Sequence, residues 1–146
     1  MTGAISMRHR NILGIALLAG LSLPAAASAH QEPRRETVTP AHAQPIPNVP
    51  GKRLESRVVE YPPGAQSIPH HHAASAFVYA YVLEGEIRSQ VDDEPARVYR
   101  PGEGWFEKPG GYHRVSENAS DTQRARLLAV FILDAGDEQL TFPDRR

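Results

Sequence analysis

Residues 76–91, AFVYAYVLEGEIRSQV, decide the fold class. Ala76 to Leu83 is a run of aromatic, β-branched and aliphatic side chains with no helical period. Glu84-Gly85 is a tight turn that leads into a second segment, Glu86 to Val91. Strand, turn and strand follow from that pattern, because β-branched and aromatic side chains suit a pleated surface and glycine supplies the turn. The same texture extends in both directions. Arg53 to Tyr61 alternates before the turn Pro62-Pro63-Gly64. Asp92-Asp93-Glu94-Pro95 turns the chain into Ala96 to Tyr99, and Pro101-Gly102 precedes Gly104 to Glu107. Pro109-Gly110-Gly111 precedes Tyr112 to Ser116, and Arg124 to Leu133 closes the series.

About eight short strands without an amphipathic helix predict an all-β sandwich or small barrel. Two of them, Ala76 to Leu83 and Leu127 to Leu133, are apolar on both faces. The outer face of a barrel wall should be polar, so something covers it. A second copy of the chain is the simplest cover, and a homodimer is expected.

Upstream of the first strand the texture is different. Arg8, His9 and Arg10 precede the apolar stretch Ile12 to Leu23, and Ala27-Ser28-Ala29 has the small residues that signal peptidase accepts. A basic region, a short apolar core and a small-residue site predict a secretory signal over 1–29, cleaved near Ala29. The apolar stretch is shorter than the roughly 20 residues of a membrane span, so no membrane attachment is expected after cleavage. The product would be periplasmic or secreted. Residues 30–50 contain five prolines and read as an extended linker or an arm on the domain; 51–140 is the barrel and 141–146 a C-terminal tail.

The whole chain carries 16 basic and 17 acidic side chains, a net charge of −1. Loss of Arg8 and Arg10 makes it more acidic. With no basic patch to neutralise phosphates, nucleic acid is not an expected partner. The absence of cysteine excludes disulfides and thiolate ligands.

Chemistry concentrates in the histidines. In an extended segment alternate side chains share a face, so His70 and His72 reach one point together while His71 points elsewhere. His113 follows a glycine-rich turn at the start of another strand. Three imidazoles suit one divalent ion, Fe, Zn, Mn, Ni or Cu. His71 is an alternative ligand if a bulge rotates the strand. His30, as a mature N-terminus, would offer its amine and ring to copper.

Two segments carry a resemblance. Gly64, five residues, His70-x-His72 and later Gly85 resemble the first motif of the cupin superfamily. Gly102, five residues, Lys108-Pro109-Gly110, two residues, His113 and then Asn118 resemble the second. The chain is similar to small bacterial single-domain cupins of type 2 over about residues 51–135. The resemblance implies a small jelly-roll β-barrel with a metal inside it. Three departures stand out. Ala76, Phe77 or Val78 occupies the place of the usual glutamate ligand, the spacing from His72 to Gly85 is about two residues long, and Lys108 replaces a proline.

Three neutral imidazoles leave the ion its full charge, which favours a small anionic bidentate molecule such as an enolate, a catecholate or a 2-hydroxy or 2-keto acid. Three-histidine sites of this superfamily resemble those of iron dioxygenases, so an oxygenase or lyase is the expected enzyme. A non-catalytic periplasmic binding or sensing module is the alternative, and a barrel without its metal a third reading. Glu107, two residues from Trp105, is a candidate acid or base, replacement ligand or orienting partner. Phe77, Tyr79, Tyr81, Trp105 and Phe106 line a pocket or pack in the core or dimer. Arg88, Arg100 and Arg114 are candidate carboxylate clamps.

Overall fold

A computed structural model describes residues 1–3 and 34–144. The signal, its cleavage site at Ala29 and His30 lie outside the described residues. The chain divides into two units, Met1–Gln31 and Glu32–Arg146, and the strands all belong to the second. They are β1 (Thr37–Pro45), β2 (Lys52–Tyr61), β3 (His70–His72), β4 (Phe77–Glu84), β5 (Ile87–Val91), β6 (Arg97–Tyr99), β7 (Gly104–Glu107), β8 (Tyr112–Asn118), β9 (Ala125–Asp134) and β10 (Thr141–Pro143). No helix occurs among the described residues.

Two five-stranded sheets result, in the orders β1-β2-β9-β4-β7 and β10-β3-β8-β5-β6, with every pairing antiparallel. Their inner faces enclose the core in a jelly-roll sandwich. The alternation of β4 sets that core: Val78, Ala80 and Val82 are buried, whereas Phe77, Tyr79, Tyr81 and Leu83 are exposed. On β9 Leu127, Ala129, Phe131 and Leu133 point inward in the same rhythm.

Three of the ten strands, β1, β3 and β10, lie outside the segments that the sequence outlines as strands. β1 arises in the proline-rich stretch and pairs with β2 along its length. Its prolines are tolerated because β1 is an edge strand, whose outward N–H groups need no partner. β3 is the histidine segment itself. β10 pairs with β3, so residues 141–143, expected as part of a free tail, complete the second sheet.

Gly85 shows why the hairpin closes where it does. Its φ is +70°, and a Cβ there would lie 2.3 Å from the Arg124 carbonyl oxygen. Asn118 is equally structural. Its buried amide donates to the carbonyls of Tyr61 (3.2 Å), Pro62 (3.1 Å) and Gln123 (2.7 Å), tying the end of β8 to two turns.

Candidate metal centre

The register of the second sheet brings the histidines together. His70 and His72 lie on one face of β3 by alternation, and His113 on β8 is the cross-strand partner of His70. Their ring centroids are 4.9 Å (His70–His72), 5.3 Å (His70–His113) and 6.2 Å (His72–His113) apart. One ring nitrogen of each lies within 4.8 Å of the others, and His72 and His113 are buried. His71 takes the opposite face, exposed and stacked on Tyr112 at 4.5 Å, and does not join the cluster.

Glu107 completes the group. It is 2% exposed on β7, with Oε2 2.8 Å from His72 Nε2 and Oε1 3.4 Å from His113 Nδ1. Trp105 Nε1 donates to Oε1 at 3.1 Å. Burial alone would raise this carboxyl. Contact with His72, the positive potential of His113 and His72, and the Trp105 N–H outweigh burial and bring it down to about 2. His113 is pushed down to about 4, mainly by burial, against the opposing pull of Glu107. Burial also lowers His70, whose Nδ1–H donates to the Ile68 carbonyl at 2.8 Å. That bond fixes the tautomer and leaves Nε2 of His70 as a bare acceptor. Ser89 Oγ lies 2.9 Å from His113 Nε2 and holds that ring from the other side.

The donor set fits a divalent cation. Both nitrogens of His72 and Oε2 of Glu107 are buried without hydrogen-bond geometry to any partner, the short His72–Glu107 approach notwithstanding. Buried polar atoms are ordinarily satisfied, and a cation held by the acceptor nitrogen of His72 would supply a partner that is otherwise missing. Around them opens a cavity of about 620 Å³. Its wall is largely apolar, with Val59, Val78, Leu127 and Phe131 among its members, and Trp105 edges it beside His113.

Of the aromatic residues singled out in the sequence, only Trp105 reaches this cavity. Phe77, Tyr79, Tyr81 and Phe106 lie on the outer face of the first sheet. The three candidate clamps point away from it as well. Arg88 pairs with Glu117 (2.6 Å), Arg100 with Glu86 (2.9 Å) and Arg114 with Asp93 (3.0 Å). The arginines that do line the cavity are Arg35 and Arg57, together with the hydroxyl cluster of Tyr61, Ser67 and Ser116. Tyr61 is pushed up to about 12 by burial.

A jelly roll with inward histidines on adjacent strands defines a class of protein, and comparison with known families agrees. Residues 57–131 match the cupin domain family, and the chain belongs to that family. Similar solved structures include a conserved protein with a double-stranded β-helix domain from Klebsiella pneumoniae, 13% identical, with 77% of this chain and 86% of that one covered and a TM-score of 0.59. The cupin domain of an XRE family transcriptional regulator from Enterobacter cloacae is 19% identical over 67% of this chain and 96% of its own, with a TM-score of 0.54. An oxalate oxidase solved with glycolate is 22% identical over 71% of this chain and 57% of its own, also with a TM-score of 0.54. At these identities the likeness is one of fold. No curated protein matches the chain.

Proposed function

We propose that this cupin holds one divalent metal ion on His70, His72 and His113 and acts as a metal-dependent oxygenase or lyase on a small anionic organic molecule. The observation that carries the reading is the convergence of three imidazoles, those of His72 and His113 buried, with both His72 nitrogens lacking a hydrogen-bond partner. When bound, the ion supplies Lewis-acid activation of a chelating enolate, catecholate or hydroxy or keto acid and, if it is iron, redox chemistry with dioxygen.

The chain's own residues do the rest. Glu107 orients the His72 and His113 rings and partly neutralises the charge gathered there. The Trp105 N–H keeps its Oε1 in place, so the carboxylate presents Oε2 to His72. Apolar walls exclude water, which strengthens each of these interactions. We further propose that the chain is exported by its N-terminal segment and that a second copy covers the outer face of the first sheet.

A second reading has one observation in its favour. A carboxyl held at about 2 is a poor proton acceptor near neutrality, which suits a periplasmic binding or sensing module without turnover. Anaerobic loading with Fe(II), followed by oxygen-uptake measurements with diketones, catechols and hydroxy acids, separates the two. Stoichiometric uptake with product is expected of the oxygenase. Tight binding with neither oxygen uptake nor product would favour the binding module.

A further inference from the structure

β2 inverts the polarity expected of a barrel wall. Arg53, Glu55, Arg57, Val59 and Tyr61 point inward, while Leu54 and Val58 take the outer side. Charge turned into a protein is unfavourable unless it is paired. Glu55 pairs twice, holding Arg53 on Oε1 and Arg57 Nη2 on Oε2 at 2.8 Å. One carboxylate thus serves two guanidinium groups and leaves one positive charge over. Arg53 is tied further to the Asp137 carbonyl. Among the described residues Arg57 has no hydrogen-bonding partner except Glu55, and its side chain, 29% exposed, lines the cavity that holds the three histidines.

Strand register gives the path between the two. Across the first sheet Arg57 faces Ala129, Ala129 faces Ala80 and Ala80 faces Trp105. The adjacent row runs Glu55, Phe131, Val78, Glu107. Three strand spacings, about 14 Å, therefore separate the backbone of Arg57 from that of Trp105, beside which His113 stands. The two residues between them are alanines, so the row is a trough whose ends are polar and whose floor is apolar. Glu36 on the cavity wall acts on Tyr61 and His70, which disfavours an anion beside it. Arg35 and Glu138 line the wall too, and of the two arginines Arg57 is the one whose guanidinium Glu55 holds in place.

We propose that Arg57 is an anion-recognition residue and that the site takes an organic acid with two polar ends. Its chelating end lies at the histidines, its carboxylate meets the Arg57 guanidinium, and its carbon skeleton rests on Ala129 and Ala80. The chelating end rests on the metal reading above; the guanidinium end stands without it. A planar fork suits a carboxylate, and Glu55 holds the fork in position.

Two probes share a metal-binding diol and differ at the far end: 3,4-dihydroxybenzoate and 4-methylcatechol. Each is titrated calorimetrically into the full chain, with and without one equivalent of Co(II). The wild type should bind the carboxylate probe at least about tenfold more tightly, the scale of one charge-assisted pair. Arg57→Met should abolish the preference and leave 4-methylcatechol unchanged. If that variant does not fold, Arg57→Lys, which keeps the charge but not the fork, should reduce the preference. Ala129→Leu, which fills the trough and keeps Arg57, should weaken both probes. Equal binding of the two by the wild type, binding of neither, or a preference undiminished in the arginine variants would overturn the proposal. Failure to retain Co(II) would count against the metal reading alone, and the metal-free titrations would still decide for or against Arg57.

Discussion

Glu107 stands opposite Val78 across the β4–β7 pair. Val78 is one of the three positions, 76 to 78, where resemblance to cupins places a carboxylate, so here the carboxylate reaches the histidines from the neighbouring strand. Its Oε2 lies 2.8 Å from His72. Groups that orient metal-ligating imidazoles typically account for about 10- to 100-fold in affinity. Glu107→Gln should weaken metal binding by that much in a competition titration against a chromophoric chelator, and unchanged affinity would show that the carboxylate has no part in it. Acid sensitivity of the metal-free protein follows from the same residues. Folded His113 takes its proton only near pH 4, whereas an unfolded histidine does so near 6.5. Between those values the unfolded state binds more protons, so stability falls as pH falls. Glu107 extends the loss, because it stays ionised to about pH 2 while its unfolded form protonates near 4.3. Urea midpoints should drop from pH 7 to 5 and again from 5 to 3. A flat profile would contradict the burial of these groups.

At the scale of elements, the β4–β5 hairpin depends on one glycine. Gly85→Ala would put a Cβ against the Arg124 carbonyl at a φ of +70°. Left-handed backbone alone costs about 1–2 kcal/mol in a residue with a Cβ, so urea denaturation should show a loss of about 2 kcal/mol or more. That hairpin was plain in the sequence, since Ala76 to Val91 joins strand-forming residues through a turn that only glycine fits. The pairing of His70 with His72 was also plain, from period-two alternation. Arg57 was not. Arg53-x-Glu55-x-Arg57 reads as the solvent face of β2, and only the register with Ala129 and Phe131 shows that it is the inner one. The histidine segment was too short to register as a strand, and β1 and β10 are edge strands whose prolines mask them. Arg88, Arg100 and Arg114 stand out in the sequence in place of Arg57 because composition carries no information about which side of a sheet a residue takes.

For the molecule as a whole, the outer face of the first sheet is the feature that the isolated chain leaves unexplained. Phe77, Tyr79, Tyr81, Leu83, Phe106 and Ile132 are exposed together there, Phe106 to 62%. Contiguous apolar patches of this kind mark interaction surfaces. Sedimentation velocity should find the wild type dimeric and the double variant Phe77→Glu, Tyr81→Glu monomeric, with melting still cooperative; a monomeric wild type would refute the dimer and leave the metal centre untouched. That centre is tested most directly by elemental analysis of protein purified without a histidine tag, with His72→Ala and His113→Ala beside it. The account predicts close to one divalent ion per chain in the wild type and a near-complete loss in both variants. Metal well below one equivalent after reconstitution, or metal retained in both variants, would contradict it.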